Sequence, residues 1–126
     1  MNNDSFVKKL VQDNPVLEAP YQEHLYDNGE LLPHVFMGEV TRVVLRLVSP
    51  KMSLDESASS RGVAEPILTY LEQGWQSGTM DVQNLISVSF VENLTPDEQG
   101  YEEMKLLLNP CLLQHLEEYE QHGMSR

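Results

Sequence analysis

Cys111 and His115 stand four residues apart, close enough on one helical face for an imidazole to take the proton from a thiol, which is how a sulfur nucleophile is activated. Cys111 follows Pro110 and precedes Leu112, however, and there a small thiol is expected to pack as an apolar side chain. A second group is His24 and His34 with Glu23, Glu30 and Glu39, ligand types that suit zinc or non-haem iron. The spacing argues against a metal. Gly29 separates the two histidines with a turn, and no H-x-x-x-H or E-x-x-H pair sets two ligands on one face. Ser87 and Ser89 lie in no G-x-S-x-G elbow, and no glycine-rich phosphate loop is present. These residues predict no cofactor, no metal and no catalytic centre. The enzyme alternative is a small metal-dependent hydrolase using His24, His34 and Glu39.

Helices have to carry these groups, and the central one reads from Leu32 to Val48. Val35, Phe36, Val40, Val43, Val44, Leu47 and Val48 recur at three-and-four spacing, Pro33 fits the first turn, and Pro50 stops the helix. His34, Gly38, Thr41, Arg42 and Arg46 form the other side, which meets water or a neighbour. Glu39 interrupts the apolar stripe, and Arg42, three residues on, is its expected partner.

Upstream, Asp4 or Ser5 can cap a short helix carrying Phe6, Val7, Leu10 and Val11 that ends before Pro15. Val16 to Asp27 is a second helix, interrupted or restarted at Pro20 and ended by Asn28-Gly29. Residues 51–61, with four serines, read as a flexible loop, although Ser53-Leu54-Asp55-Glu56 has the form of a capping box. Val63, Ile67, Tyr70, Leu71 and Trp75 define a fourth helix, with Pro66 tolerable only in its first turn. Asp81 can cap a fifth, Val82 to Asn93, whose apolar residues surround so much of its circumference that it joins the core. Its LISVSFV run is the only β-like composition in the chain. Thr95-Pro96-Asp97-Glu98 starts a sixth helix running to about Leu108, and Asn109-Pro110 starts the last. The expectation is an all-α single domain over residues 1–126, with six or seven short helices, possible as stacked antiparallel pairs.

The chain has 126 residues, 40% of them hydrophobic, enough for one core. Its 20 acidic and 8 basic residues leave a formal charge of -12, which excludes nucleic acid and anionic lipid as natural partners and leaves a basic protein. One cysteine excludes an internal disulfide and fits a reducing compartment; with no signal peptide or membrane-length apolar run, the expected location is cytoplasmic. The acids gather in two stretches. Asp13, Glu18, Glu23, Asp27, Glu30 and Glu39 lie between Leu10 and Thr41 with no Lys or Arg among them, and Asp97, Glu98, Glu102, Glu103, Glu117, Glu118 and Glu120 lie beyond Thr95.

The blocks ELLPHVFMGEVTR (30–42) and NLISVSFVENL (84–94), with the acidic end LLNPCLLQHLEEYE, resemble a family of small acidic bacterial proteins without an established activity, associated with toxin and immunity loci. The resemblance implies a shared fold and a protein that binds and neutralises a partner, and it transfers no site residue. The functional expectation is a non-enzymatic immunity protein that contacts a cognate basic toxin. Its expected contact residues are Glu98, Tyr101, Glu102 and Glu103 with Glu117, Glu118, Tyr119 and Glu120, while Tyr21 and Tyr26 are anchors if the N-terminal acids are used instead. A helical adaptor or regulator is the remaining alternative, and the oligomeric state is left open.

Overall fold

Caps and prolines place the helix boundaries in the computed structural model, which describes residues 2–49 and 54–124. Asn2, rather than Asp4 or Ser5, caps α1 (Asn3–Asp13), its side chain accepting from the Ser5 N–H at 2.8 Å. A 3-10 turn (Pro15–Leu17) leads into α2 (Glu18–Asn28), which runs through Pro20 because that proline sits in the first turn, where its missing N–H costs nothing. Gly29, at φ +75, ends α2 in the left-handed conformation that glycine adopts freely. α3 (Pro33–Val48) follows, then α4 (Leu54–Ser77), α5 (Met80–Ser89), a 3-10 turn (Val91–Asn93), α6 (Tyr101–Leu107), α7 (Pro110–Tyr119) and a π-type turn (Glu120–Met124). No strand occurs among the described residues, so the fold is all-α and the 85–91 run is helical as far as Ser89.

α3 is the hub, packing against α1, α2, α4, α5 and α6, more extensively against α4 than against α5. Phe36, Met37, Val40, Val43, Val44, Leu45 and Val48 are buried on it, joined by Phe6, Leu10 and Leu17 from the N-terminal segments, Ile67, Leu68 and Leu71 from α4, and Leu85 and Ile86 from α5. Thr41 departs from expectation: it is fully buried, and its hydroxyl donates to Met37 O at 3.0 Å and Ser89 O at 3.3 Å. The polar side of α3 therefore meets the C-terminal end of α5. His34 Nδ1 lies 2.6 Å from Ser89 Oγ, Asn93 Nδ2 donates to Ser89 O at 2.6 Å, and Arg42 Nη2 donates to Asn93 O at 2.8 Å. Val35, expected inside, is 53% exposed.

Three further boundaries differ from the sequence reading. Residues 51–53 of the expected loop lie outside the described residues, while 54–61 form the first turns of α4, so Pro66 falls inside that helix and not in its first turn. Thr79, not Asp81, caps α5, accepting from the Val82 N–H at 3.2 Å. Glu98 Oε1 accepts from the Thr95 N–H, one half of a capping box, but the Thr95 hydroxyl donates to the same carboxylate while the Glu98 N–H bonds Thr95 O, and the helix begins only at Tyr101. Gly100, at φ +90, reverses the chain between the cap and the helix.

Candidate functional site

The helices separate the groups that the sequence offered for chemistry. His24 is buried on α2, where its Nε2 accepts the Leu32 N–H at 3.0 Å, so the ring proton sits on Nδ1, 3.0 Å from Glu39 Oε2. Glu39 thus pairs with His24 across two helices, and its expected partner Arg42 turns instead to Glu98 and Asn93 O. His34 is committed to Ser89 on another side of α3. With both His24 nitrogens bound within the protein, His24, His34 and Glu39 do not converge, and no three His, Cys, Asp or Glu side chains gather as a metal-binding group among the described residues.

Cys111 and His115 likewise turn to different neighbours. Cys111 Sγ accepts from Gln76 Nε2 at 3.2 Å, and His115 stacks on Trp75 with ring centroids 4.3 Å apart while its Nε2 lies 2.9 Å from Ser87 Oγ. These contacts fasten α7 to α4 and α5. A stronger fastening is Glu72, only 6% exposed, whose two oxygens accept the Leu112 N–H at 2.8 Å and the Cys111 N–H at 3.1 Å. Asn109, the expected cap of α7, makes no side-chain cap bond.

The two C-terminal acidic stretches do converge. Glu102 from α6 and Glu117 from α7 both act on the Lys105 charge, and Glu120 bonds Lys105 Nζ at 2.9 and 3.0 Å. Glu120 also accepts from the Tyr101 hydroxyl. Tyr101 is 1% exposed, which removes it from the expected contact surface, and Tyr119 is half-buried against the core. Glu98 and Glu120 are likewise engaged within the fold, by Arg42 and by Tyr101 with Lys105. Glu102, Glu117 and Glu118 are exposed, and Glu103 is half-buried. Leu106 is 86% exposed, at i+4 and i+3 from Glu102 and Glu103 and hence on their face of α6. That spacing was legible in the sequence, but nothing in it tells an outward leucine from the inward Leu107 and Leu108 of the same run. At the N-terminal end Tyr26 is 89% exposed, whereas Tyr21 packs edge-on to Phe36 with centroids 5.4 Å apart.

Burial pushes the Glu120 carboxyl up, but the hydrogen bonds from Tyr101 and Lys105 and the Lys105 charge outweigh it and hold the group below its ordinary value of 4.5. A lowered folded-state value makes this stabilisation complete above pH 4.5 and removes it as the pH falls through the lower value. Tyr101 is raised by burial, then by the Glu120 hydrogen bond and the Glu120 and Glu102 charges. Lys105 is raised chiefly by its Glu120 hydrogen bond. For both of these the stabilisation is complete below the ordinary value and is lost at high pH. Urea unfolding of the wild type and Glu120→Gln is expected to differ by about 1 kcal/mol at pH 7. The gap should shrink as the pH drops below 4.5. A gap that is the same at pH 7 and pH 3 contradicts the assignment.

No helix among the described residues is long and apolar enough to cross a membrane. A family model described as Domain of unknown function (DUF7674) matches residues 7–124. No curated protein and no solved structure matches the chain.

Proposed function

The chain belongs to the DUF7674 family of unknown function, and from the α6–α7 geometry we propose that it is a non-enzymatic protein-binding module whose acidic C-terminal face takes a basic protein. The observation that carries this reading is Leu106, exposed on the same helical face as Glu102 and Glu103, on the helix whose Lys105 is met by Glu120 of the C-terminal segment. Acids alone steer an approaching cation, and an exposed aliphatic side chain adds the desolvated contact on which affinity depends. In its finer form the proposal is an immunity protein that neutralises a cognate toxin stoichiometrically. The net charge of -12 suits a target whose own surface is basic.

Co-expression with the product of the adjacent gene, followed by calorimetry, tests the reading. A one-to-one complex that weakens with added NaCl is expected, with a further loss of at least about tenfold when Glu102, Glu103, Glu117 and Glu118 are changed to Lys. Leu106→Ala should cost affinity at every salt concentration, because its contribution is not ionic. Binding that survives both sets of changes overturns the proposed surface.

A further inference from the structure

Among the asparagines of the chain only Asn28 precedes a glycine, and the pair ends α2. The residue after an asparagine normally shields its own amide nitrogen with a Cβ, and Gly29 has none. Beyond its chain neighbours nothing lies within 4 Å of where that Cβ would stand, and residues 26–30 are all exposed, so no core contact holds the turn shut. Two hydrogen bonds do: the Gly29 N–H donates to Leu25 O at 2.8 Å, and Asn28 Nδ2 donates to His24 O at 2.9 Å. Both belong to the last turn of a surface helix, the part of a fold that opens at the smallest free-energy cost.

We propose that Asn28-Gly29 is a site of spontaneous deamidation and that the product loosens the joint between α2 and α3. When the turn opens, the Gly29 nitrogen attacks Asn28 Cγ. A C–N bond forms, the Cγ–Nδ2 bond breaks, and Nδ2 leaves as ammonia with the Gly29 amide proton. Water then opens the cyclic imide at either carbonyl, leaving an aspartate or its β-linked isomer at position 28. The joint is sensitive to both products because Asn28 Nδ2 lies 3.3 Å from His24 Nδ1 as well as 2.9 Å from His24 O. His24 has one ring proton, on Nδ1, which it gives to Glu39, while its Nε2 accepts the N–H of Leu32, the residue that leads into α3. A carboxylate at position 28 turns an acceptor toward the His24 carbonyl, where a donor stood, and competes with Glu39 for the Nδ1 proton. It also adds negative charge at the C-terminal end of α2, the negative pole of the helix dipole. The β-linked isomer lengthens the main chain by one carbon and shifts the Gly29 N–H away from Leu25 O. The site does not depend on the acidic face of α6 and α7.

Peptide mapping by mass spectrometry of the full chain, aged in native buffer at pH 7, tests the chemistry. Asn28 is expected to convert before any other asparagine and to give both products. Gly29→Ala, compared with the wild type in urea so that folding plays no part, should slow the conversion at least about fivefold, because a Cβ then shields the attacking nitrogen. Hydrogen exchange by NMR tests the consequence in freshly made protein. Asn28→Asp carries one product from the start, and its Leu32 amide should exchange faster than in the wild type. Asn28→Ala removes the bond to His24 O without adding charge, and should raise the Leu32 exchange rate less. Earlier conversion at another asparagine, an unchanged rate in Gly29→Ala, or Leu32 exchange in Asn28→Asp no faster than in the wild type or in Asn28→Ala overturns the proposal.

Discussion

Glu72→Ala is expected to lower stability by about 2–4 kcal/mol, because it strips a buried carboxylate from two backbone N–H groups that have no other acceptor in their helix. The Cys111 and Leu112 amides belong to the first turn of α7, where intrahelical partners do not exist, and the Glu72 oxygens at 3.1 and 2.8 Å take the place of a cap. The same carboxylate accepts from Gln76 Nε2 at 3.1 Å and lies at the positive end of the α7 dipole. Glu72→Gln should recover only part of the loss, since one carboxamide cannot accept through both of its polar atoms. Hydrogen exchange supplies the local readout. The Cys111 and Leu112 amides should exchange faster in Glu72→Ala than in the wild type at matched global stability. A loss under about 0.5 kcal/mol, the range of ordinary surface changes, with unchanged exchange would rule out the capping role.

Gly100→Ala should be comparably damaging, at about 2–4 kcal/mol, because two separate costs fall on one position. The first is conformational, since the residue sits at φ +90, where a Cβ is strained. The second is steric: a Cβ there would lie 2.5 Å from Leu45 O and 2.8 Å from Ser49 Oγ, and the Leu45 carbonyl belongs to the last turn of the central helix. Gly29 provides the control. It is also left-handed, at φ +75, but a Cβ there meets nothing within 4 Å, so Gly29→Ala should cost only about 1 kcal/mol. Denaturant unfolding of the two variants isolates the contact by difference. Equal losses would mean that the close approach to α3 contributes nothing.

Local signals were readable directly from the chain. Pro33, Asn28-Gly29 and Asn109-Pro110 mark helix boundaries through backbone chemistry that needs no tertiary partner, and the three-and-four spacing of Phe36, Val40, Val43, Val44 and Val48 identifies the buried side of α3. Between Thr95 and Glu98 only the carboxylate half of the cap formed, and the reversal at Gly100, pressed against Leu45, delayed the helix until Tyr101. The acidity of the C-terminal segments was equally plain in the composition. What stayed hidden was the choice of partner among polar groups. Glu39 had Arg42 within reach on its own helix and bonded His24, fifteen positions away, while Arg42 bonded Glu98, fifty-six positions away.

Thr41 is polar and buried, Tyr101 sits inside rather than at the surface, and Glu72 caps a helix forty residues further on. Helical periodicity fixes only which side chains share a face. Whether that face meets water, an apolar neighbour or a matching polar seam depends on how the helices cross, and that depends on every contact in the core at once. The sequence by itself therefore determined the helices and their acidic character. Only the tertiary structure decided that the two C-terminal acidic stretches meet around Lys105 and that Leu106 points outward on the face of Glu102 and Glu103.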